Sequence, residues 1–89
     1  MATFGISHEQ YDAMLVKQGG VCAICRNPEP ALDSRTGKPR GLAVDHTHKD
    51  GGVRGLLCSL CNRGLGMFRD DATLLSRAIQ YVAASRSAA

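Results

Sequence analysis

Four cysteines and a short polar cluster hold most of the chemistry open to this chain. Cys22 and Cys25 form one C-x-x-C, Cys58 and Cys61 a second, and 32 residues separate the pairs. That span contains Val44-Asp45-His46-Thr47-His48, and Asn62 directly follows the last cysteine. Two such knuckles around a long insert are the pattern of one tetrahedral four-cysteine zinc site, with Zn–S near ~2.3 Å. Such a site is closed, so its zinc is expected to be structural, adding folding free energy on the order of 10 kcal/mol. The competing readings are a redox dithiol and two disulfides. Thioredoxin-like chemistry needs its C-x-x-C within a βαβ pattern, which is missing here.

Asp45, His46, His48 and Asn62 offer harder donors than the thiolates. Carboxylate and amide oxygens suit Mg2+ or Mn2+; imidazole suits Zn, Ni or Mn, or serves as a base. Adjacent residues on an extended segment face opposite ways. Asp45 and His46 therefore reach one centre only if the strand ends or bends there. With Asp45 on a divalent ion, His46 can take a proton from water, since an ordinary imidazole pKa near ~6.5 suits neutral pH. An ion that bridges a phosphate oxygen and the leaving oxygen stabilises charge developing in the transition state. This division of labour points to phosphodiester hydrolysis. Any single histidine is more often a solvated side chain, and His8, on the first helix, is assigned no role.

The positioning elements follow from local signals. Ser7-His8-Glu9-Gln10 is a capping box that opens a helix over about 8–18, and Gly19-Gly20 ends it. Residues 22–25 form the first knuckle. Residues 26–40 contain three prolines and no periodicity, and read as a loop. Gly41 to His46 and Val53 to Leu57 are short strand candidates around a turn at Lys49-Asp50-Gly51-Gly52. The second knuckle, 58–61, leads into a short helix over 59–66 that carries Asn62. Asp70-Asp71 caps a last helix over about 72–84. Its apolar face of Leu74, Leu75, Ala78, Ile79 and Val82 calls for a partner, either the first helix or a second chain.

At these residues the chain resembles the phage recombination endonuclease VII family of HNH nucleases. The likeness runs from Phe4-Gly5-Ile6 through Gln18-Gly19-Gly20-Val21-Cys22-Ala23-Ile24-Cys25 and Leu42 to His48, then from Gly52 through Asn62 to Gly66. It implies an α+β fold: a zinc-stapled ββα-metal (His-Me finger) core at about 41–66, flanked by N- and C-terminal helices. It also implies DNA hydrolysis with Mg2+ or Mn2+. Carried over, Asp45 and Asn62 become ligands of the catalytic ion, and His46 is the first choice for general base. His48 positions the phosphate or shares the base role. One departure is Leu65, where the family's junction resolvase has an acid one helical step past its Asn. That resolvase is also longer, so simple nicking or cleavage is expected here rather than junction resolution.

Size and charge set the remaining bounds. Eighty-nine residues make one domain, with Phe4, Tyr11, Phe68 and Tyr81 its only aromatics, so a metal staple is needed. The formal charge is +3; four negative thiolates and one doubly positive zinc ion bring it to about +1. Between Arg26 and Arg69, eight Lys/Arg face four acids, a basic field suited to a phosphate substrate. Arg54 and Arg63 flank the second knuckle as candidate phosphate contacts, with Lys38, Arg40 and Arg35 approaching from the loop. No long recognition helix stands out, so DNA binding is expected to be weakly sequence-specific and strongly salt-dependent. The absence of a signal sequence or apolar span predicts a cytoplasmic protein of a host cell, of phage origin by the resemblance. It would act as a monomer or homodimer. The alternatives are a non-catalytic zinc module that binds DNA or protein, and a partner-dependent subunit working with phage packaging or recombination proteins.

Overall fold

The computed structural model describes residues 2–3, 5–47 and 50–87; Phe4, His48 and Lys49 lie outside the described residues. The chain enters through a hairpin that no sequence signal announces. β1 (Ala2–Thr3) pairs antiparallel with β2 (Ile6–Ser7) across Gly5, whose φ of 88° favours a residue without Cβ. The expected capping box then opens α1 (His8–Lys17): the Gln10 N–H donates to Ser7 Oγ at 3.0 Å, and the Ser7 N–H donates to Gln10 Oε1 at 2.7 Å. Gly19 and Gly20, both with positive φ, end the helix by donating to the carbonyls of Val16 and Leu15.

The central unit is one antiparallel pair, β3 (Ala43–His46) with β4 (Val53–Leu57), and α2 (Ser59–Met67) follows at once. Ala43, Val44 and Asp45 pair with Leu57, Leu56 and Gly55; the register then shifts, and His46 pairs with Val53. Arg54 is the residue left over, a β-bulge, and bulges bend a strand and re-aim side chains. The bulge lies in β4, and β3 itself ends at His46, so the strand stops where Asp45 and His46 need it to end or bend. After α2, Arg69 (φ 59°) and Asp70 (φ 54°) both take the left-handed conformation, each costing a non-glycine residue roughly 1–2 kcal/mol. Asp71 caps α3 (Ala72–Ser87), accepting from the N–H groups of Thr73 at 2.8 Å and Leu74 at 3.1 Å. Together these make a small α+β fold with three helices. No helix among the described residues is long and apolar enough to cross a membrane.

The buried core is small: Cys22, Leu42, Leu56, Leu57 and Cys58, with Tyr11, Met14, Leu15, Val44, Cys61 and Leu65 packed around them. α1 adds polar ties. Tyr11 donates its hydroxyl to the Leu42 carbonyl at 2.6 Å. The Gln18 amide acts as a short stand-in strand: Leu56 N–H donates to Oε1 at 3.0 Å, and Nε2 donates to the Leu56 and Val21 carbonyls. On α3, Leu74, Leu75 and Ala78 are half-buried, while Ile79 and Val82 stay exposed.

Because Leu56 is fully buried, Gln18→Ala strands its N–H away from water. The expected cost is about 1–3 kcal/mol. A thermal melt of the metal-saturated protein checks this; at this size the midpoint should fall by about 4–8 °C per kcal/mol.

Candidate active site

The two knuckles meet as expected. The four thiol sulfurs lie within 4.8 Å of one another, and the Sγ atoms of Cys25 and Cys58 are 3.7 Å apart. A tetrahedron with Zn–S near ~2.3 Å has edges of about 3.8 Å, so the cluster can hold a metal such as zinc after small shifts of the sulfurs. Backbone supports the sulfurs: Ile24 N–H donates to Cys22 Sγ, and Cys61 N–H to Cys58 Sγ, both at 3.4 Å. Cys58 is also the N-cap of α2, where backbone N–H groups favour an anion. Burial opposes ionisation of Cys22, but hydrogen bonds from Cys58, Cys25 and Ile24 outweigh it and lower its pKa to about 6. Burial and then the other three sulfurs push Cys61 up to about 12. The first thiolate of the cluster thus forms readily and the last resists, until a cation offsets the repulsion.

Asn62 lies one helical turn from Cys58, its N–H donating to the Cys58 carbonyl at 2.9 Å. It is exposed and opens into a cleft of about 270 Å3 that it shares with Arg40, Arg63, Ser59, Ala43 and Glu29. Neither Arg40 nor Arg63 has a side-chain hydrogen bond or ion pair among the described residues. Asp45 opens instead into a second cleft of about 240 Å3, beside Arg54, Leu57 and Leu65. Ala43 and Asp45 are two apart on β3 and so share one face, about 7 Å apart along the strand. Asn62 and Leu65 are likewise three apart on one face of α2. Ala43 and Asn62 line the first cleft, and Asp45 and Leu65 the second, so Asp45 and Asn62 open into different clefts. His46 ends β3 half-buried, and its Nε2 faces the entry hairpin: a Cβ on Gly5 would stand 3.5 Å from it. His48 lies outside the described residues.

Arg54 differs most from expectation. Its guanidinium is engaged by two carboxylates, although the residue stays exposed. Nε donates to Asp45 Oδ2 at 2.7 Å, and one terminal nitrogen donates to Asp45 Oδ1 at 3.2 Å and to Asp70 Oδ1 at 2.7 Å. These hydrogen bonds, the one to Asp45 foremost, raise its pKa further, so it stays cationic. Of Lys38, Arg40 and Arg35 in the loop, only Arg40 reaches the Asn62 cleft.

Glu29 is a contributor that sequence reasoning misses. It is buried, and it accepts from Ser59 N–H at 2.6 Å, Ser59 Oγ at 2.8 Å and Ala31 N–H at 2.8 Å. Burial alone would raise this carboxyl, yet those donors and nearby Arg40 outweigh it and hold it below its ordinary value. Glu29 thus pins the 26–40 loop to the start of α2. A glutamate 30 residues before the residue it binds carries no spacing signal. Only the adjacent prolines, which fix the local backbone, hint at it.

A cluster of four cysteines thus stands beside a strand that ends in Asp45-His46 and a helix that carries Asn62. The chain belongs to the recombination endonuclease VII family, whose model matches residues 1–84. Among curated relatives, the Gene 59 protein of Mycobacterium phage D29 is 47% identical over 83 residues, and that of Mycobacterium phage L5 is 43% identical over the same length. Each match covers 92% of this chain but 46% of the relative, so the chain spans about half the length of those proteins. No solved structure matches it.

Metal binding needs thiolates, so zinc affinity should fall with acidification. Below pH about 6 Cys22 must also lose a proton, and the slope of log affinity against pH steepens by about one. Competition titrations with a chromophoric chelator from mildly alkaline to mildly acidic pH read this slope. Glu29→Gln presents an NH2 to hydrogen-bond donors and should cost about 1–3 kcal/mol. Because the folded Glu29 pKa is depressed, its contribution is present above the unfolded value near ~4.3 and lost as pH falls through the folded one. Wild type and variant melts should therefore converge in acid.

Proposed function

We propose that this protein is a metal-dependent HNH endonuclease that hydrolyses DNA phosphodiester bonds by nicking or cleavage with low sequence specificity. The observation that carries the reading is the end of β3 at His46, opposite the bulge in β4. There Asp45 and His46 stand adjacent at the strand's last two positions, and α2, which bears Asn62, packs against the same strand. Family membership supports the reaction class. In this reading the four-cysteine cluster holds structural zinc, which fixes α2, and with it Asn62, against β3.

Asp45 and Asn62 supply one carboxylate and one amide oxygen. This hard, sparse donor set fits Mg2+ or Mn2+, which keep several waters. When bound there, such an ion would polarise the phosphate and stabilise charge on the leaving oxygen. His46 takes the proton from the attacking water. His48 positions the phosphate or shares the base role. Arg40 and Arg63, both lining the Asn62 cleft, hold flanking phosphates, with Lys38 further out on the loop. Arg54 serves the site through Asp45 rather than by gripping the backbone itself.

The test is supercoiled plasmid at low salt with Mg2+, Mn2+ or EDTA. Wild type should nick it only with a divalent ion, and His46→Ala should lose about 100-fold or more in rate. A folded, zinc-loaded wild type that cuts with neither ion would favour the binding module or the partner-dependent subunit. Arg40→Ala and Arg63→Ala should each weaken DNA binding across all sequences and lower the slope of log K against log salt by about 0.9. Fluorescence anisotropy over a salt series reads both effects.

A further inference from the structure

Two backbone irregularities and one covered carboxylate converge on one side chain. The bulge in β4 singles out Arg54, the residue with no ladder partner. The left-handed pair Arg69–Asp70 turns the chain between α2 and α3 so that Asp70, and not its neighbour Asp71, meets that guanidinium. Asp45, at 11% side-chain exposure, receives the guanidinium on both oxygens. Asp70 is similarly covered, at 12%. Two irregular stretches of backbone thus serve one Asp–Arg–Asp line.

We propose that Arg54 and Asp70 are positioning residues that set how strongly Asp45 takes a divalent cation. Arg54 fixes the plane of the carboxylate and leaves each oxygen one further lone pair. It also places a positive charge beside any ion that Asp45 would hold. Asp70 offsets that charge from the far side of the guanidinium. Hydrogen-bonded partners of this kind commonly orient a ligating carboxylate and tune its basicity. The inference rests on the reading that Asp45 is a cation ligand.

The balance of charge fixes the signs. Asp70→Asn removes one of the two carboxylates that offset Arg54 and leaves only Asp45 to balance it, so Mn2+ should bind about three- to tenfold more weakly. Arg54→Gln removes the competing cation, so Mn2+ should bind more tightly by a similar factor. Nicking by Arg54→Gln should nonetheless slow, because the carboxylate is no longer held. Arg54→Lys keeps the charge without the fork, and its Mn2+ affinity should stay within about twofold of wild type. A merely structural pair would move both charge-changing variants in the same direction.

Mn2+ affinity is measured by electron paramagnetic resonance on the zinc-loaded protein without DNA, with zinc content and melting checked for each variant. Opposite shifts for Asp70→Asn and Arg54→Gln support the proposal. If Arg54→Gln does not fold, weaker binding by Asp70→Asn with near-unchanged binding by Arg54→Lys carries it. Unmoved affinity in Asp70→Asn, or shifts of the same sign, overturns it while Asp45→Asn still loses Mn2+. If Asp45→Asn binds Mn2+ as well as wild type does, the underlying reading of Asp45 fails instead.

Discussion

The rest of the molecule depends on four sulfurs being held within bonding reach of one ion. Among the described residues the buried central core holds three aliphatic side chains, Leu42, Leu56 and Leu57, and two cysteines. At about 1.5–3 kcal/mol per side chain, burial of this size yields roughly 4.5–9 kcal/mol before chain entropy is set against it. Burial and then the neighbouring sulfurs push Cys61 up to about 12, whereas hydrogen bonds outweigh burial at Cys22 and lower it to about 6; crowded thiolates also repel one another. A divalent cation turns that repulsion into attraction. The same sulfurs that oppose folding without metal would drive it with metal.

Geometry passes outward from the cluster. Cys58 caps α2, so the first turn of that helix is set by a residue of the cluster itself, and Asn62 follows one turn later. Glu29 ties the long insert to Ser59, the first residue of the helix, from the other side. The β3–β4 pair enters the cluster directly at Cys58. Polar function is therefore carried on elements with little freedom to move, although each is short and the apolar core is small. Fixed donors and a fixed helix are what a site for an ion and a phosphate requires, because misplacement by about 1 Å is costly in rate.

Much of this is legible in the sequence wherever a residue type has only one conformational use. The capping box, the double glycine and the C-x-x-C pairs act locally, and they appear where their spacing puts them. The hairpin at the N-terminus escapes because two-residue strands are too short to show alternation. Charge alone makes Arg54 a phosphate contact. Its actual partners depend on a one-residue shift in strand register, a property of the pair of strands rather than of either one. One local sign is present: a glycine inside a strand, here Gly55, often marks a bulge. Asp70 and Asp71 look equivalent in sequence, and only the left-handed turn separates the helix cap from the carboxylate that meets Arg54.

The Gln18 amide has a further consequence. A two-stranded ribbon ordinarily offers an open rim where a foreign strand can add, the usual starting point for sheet-mediated aggregation. At Leu56 that rim is already occupied, since its N–H and carbonyl are both satisfied by a side chain from the end of α1, with Ala23 N–H as a second donor. A glutamine thus does the work of a third strand, closing the sheet at its most buried residue without lengthening the chain.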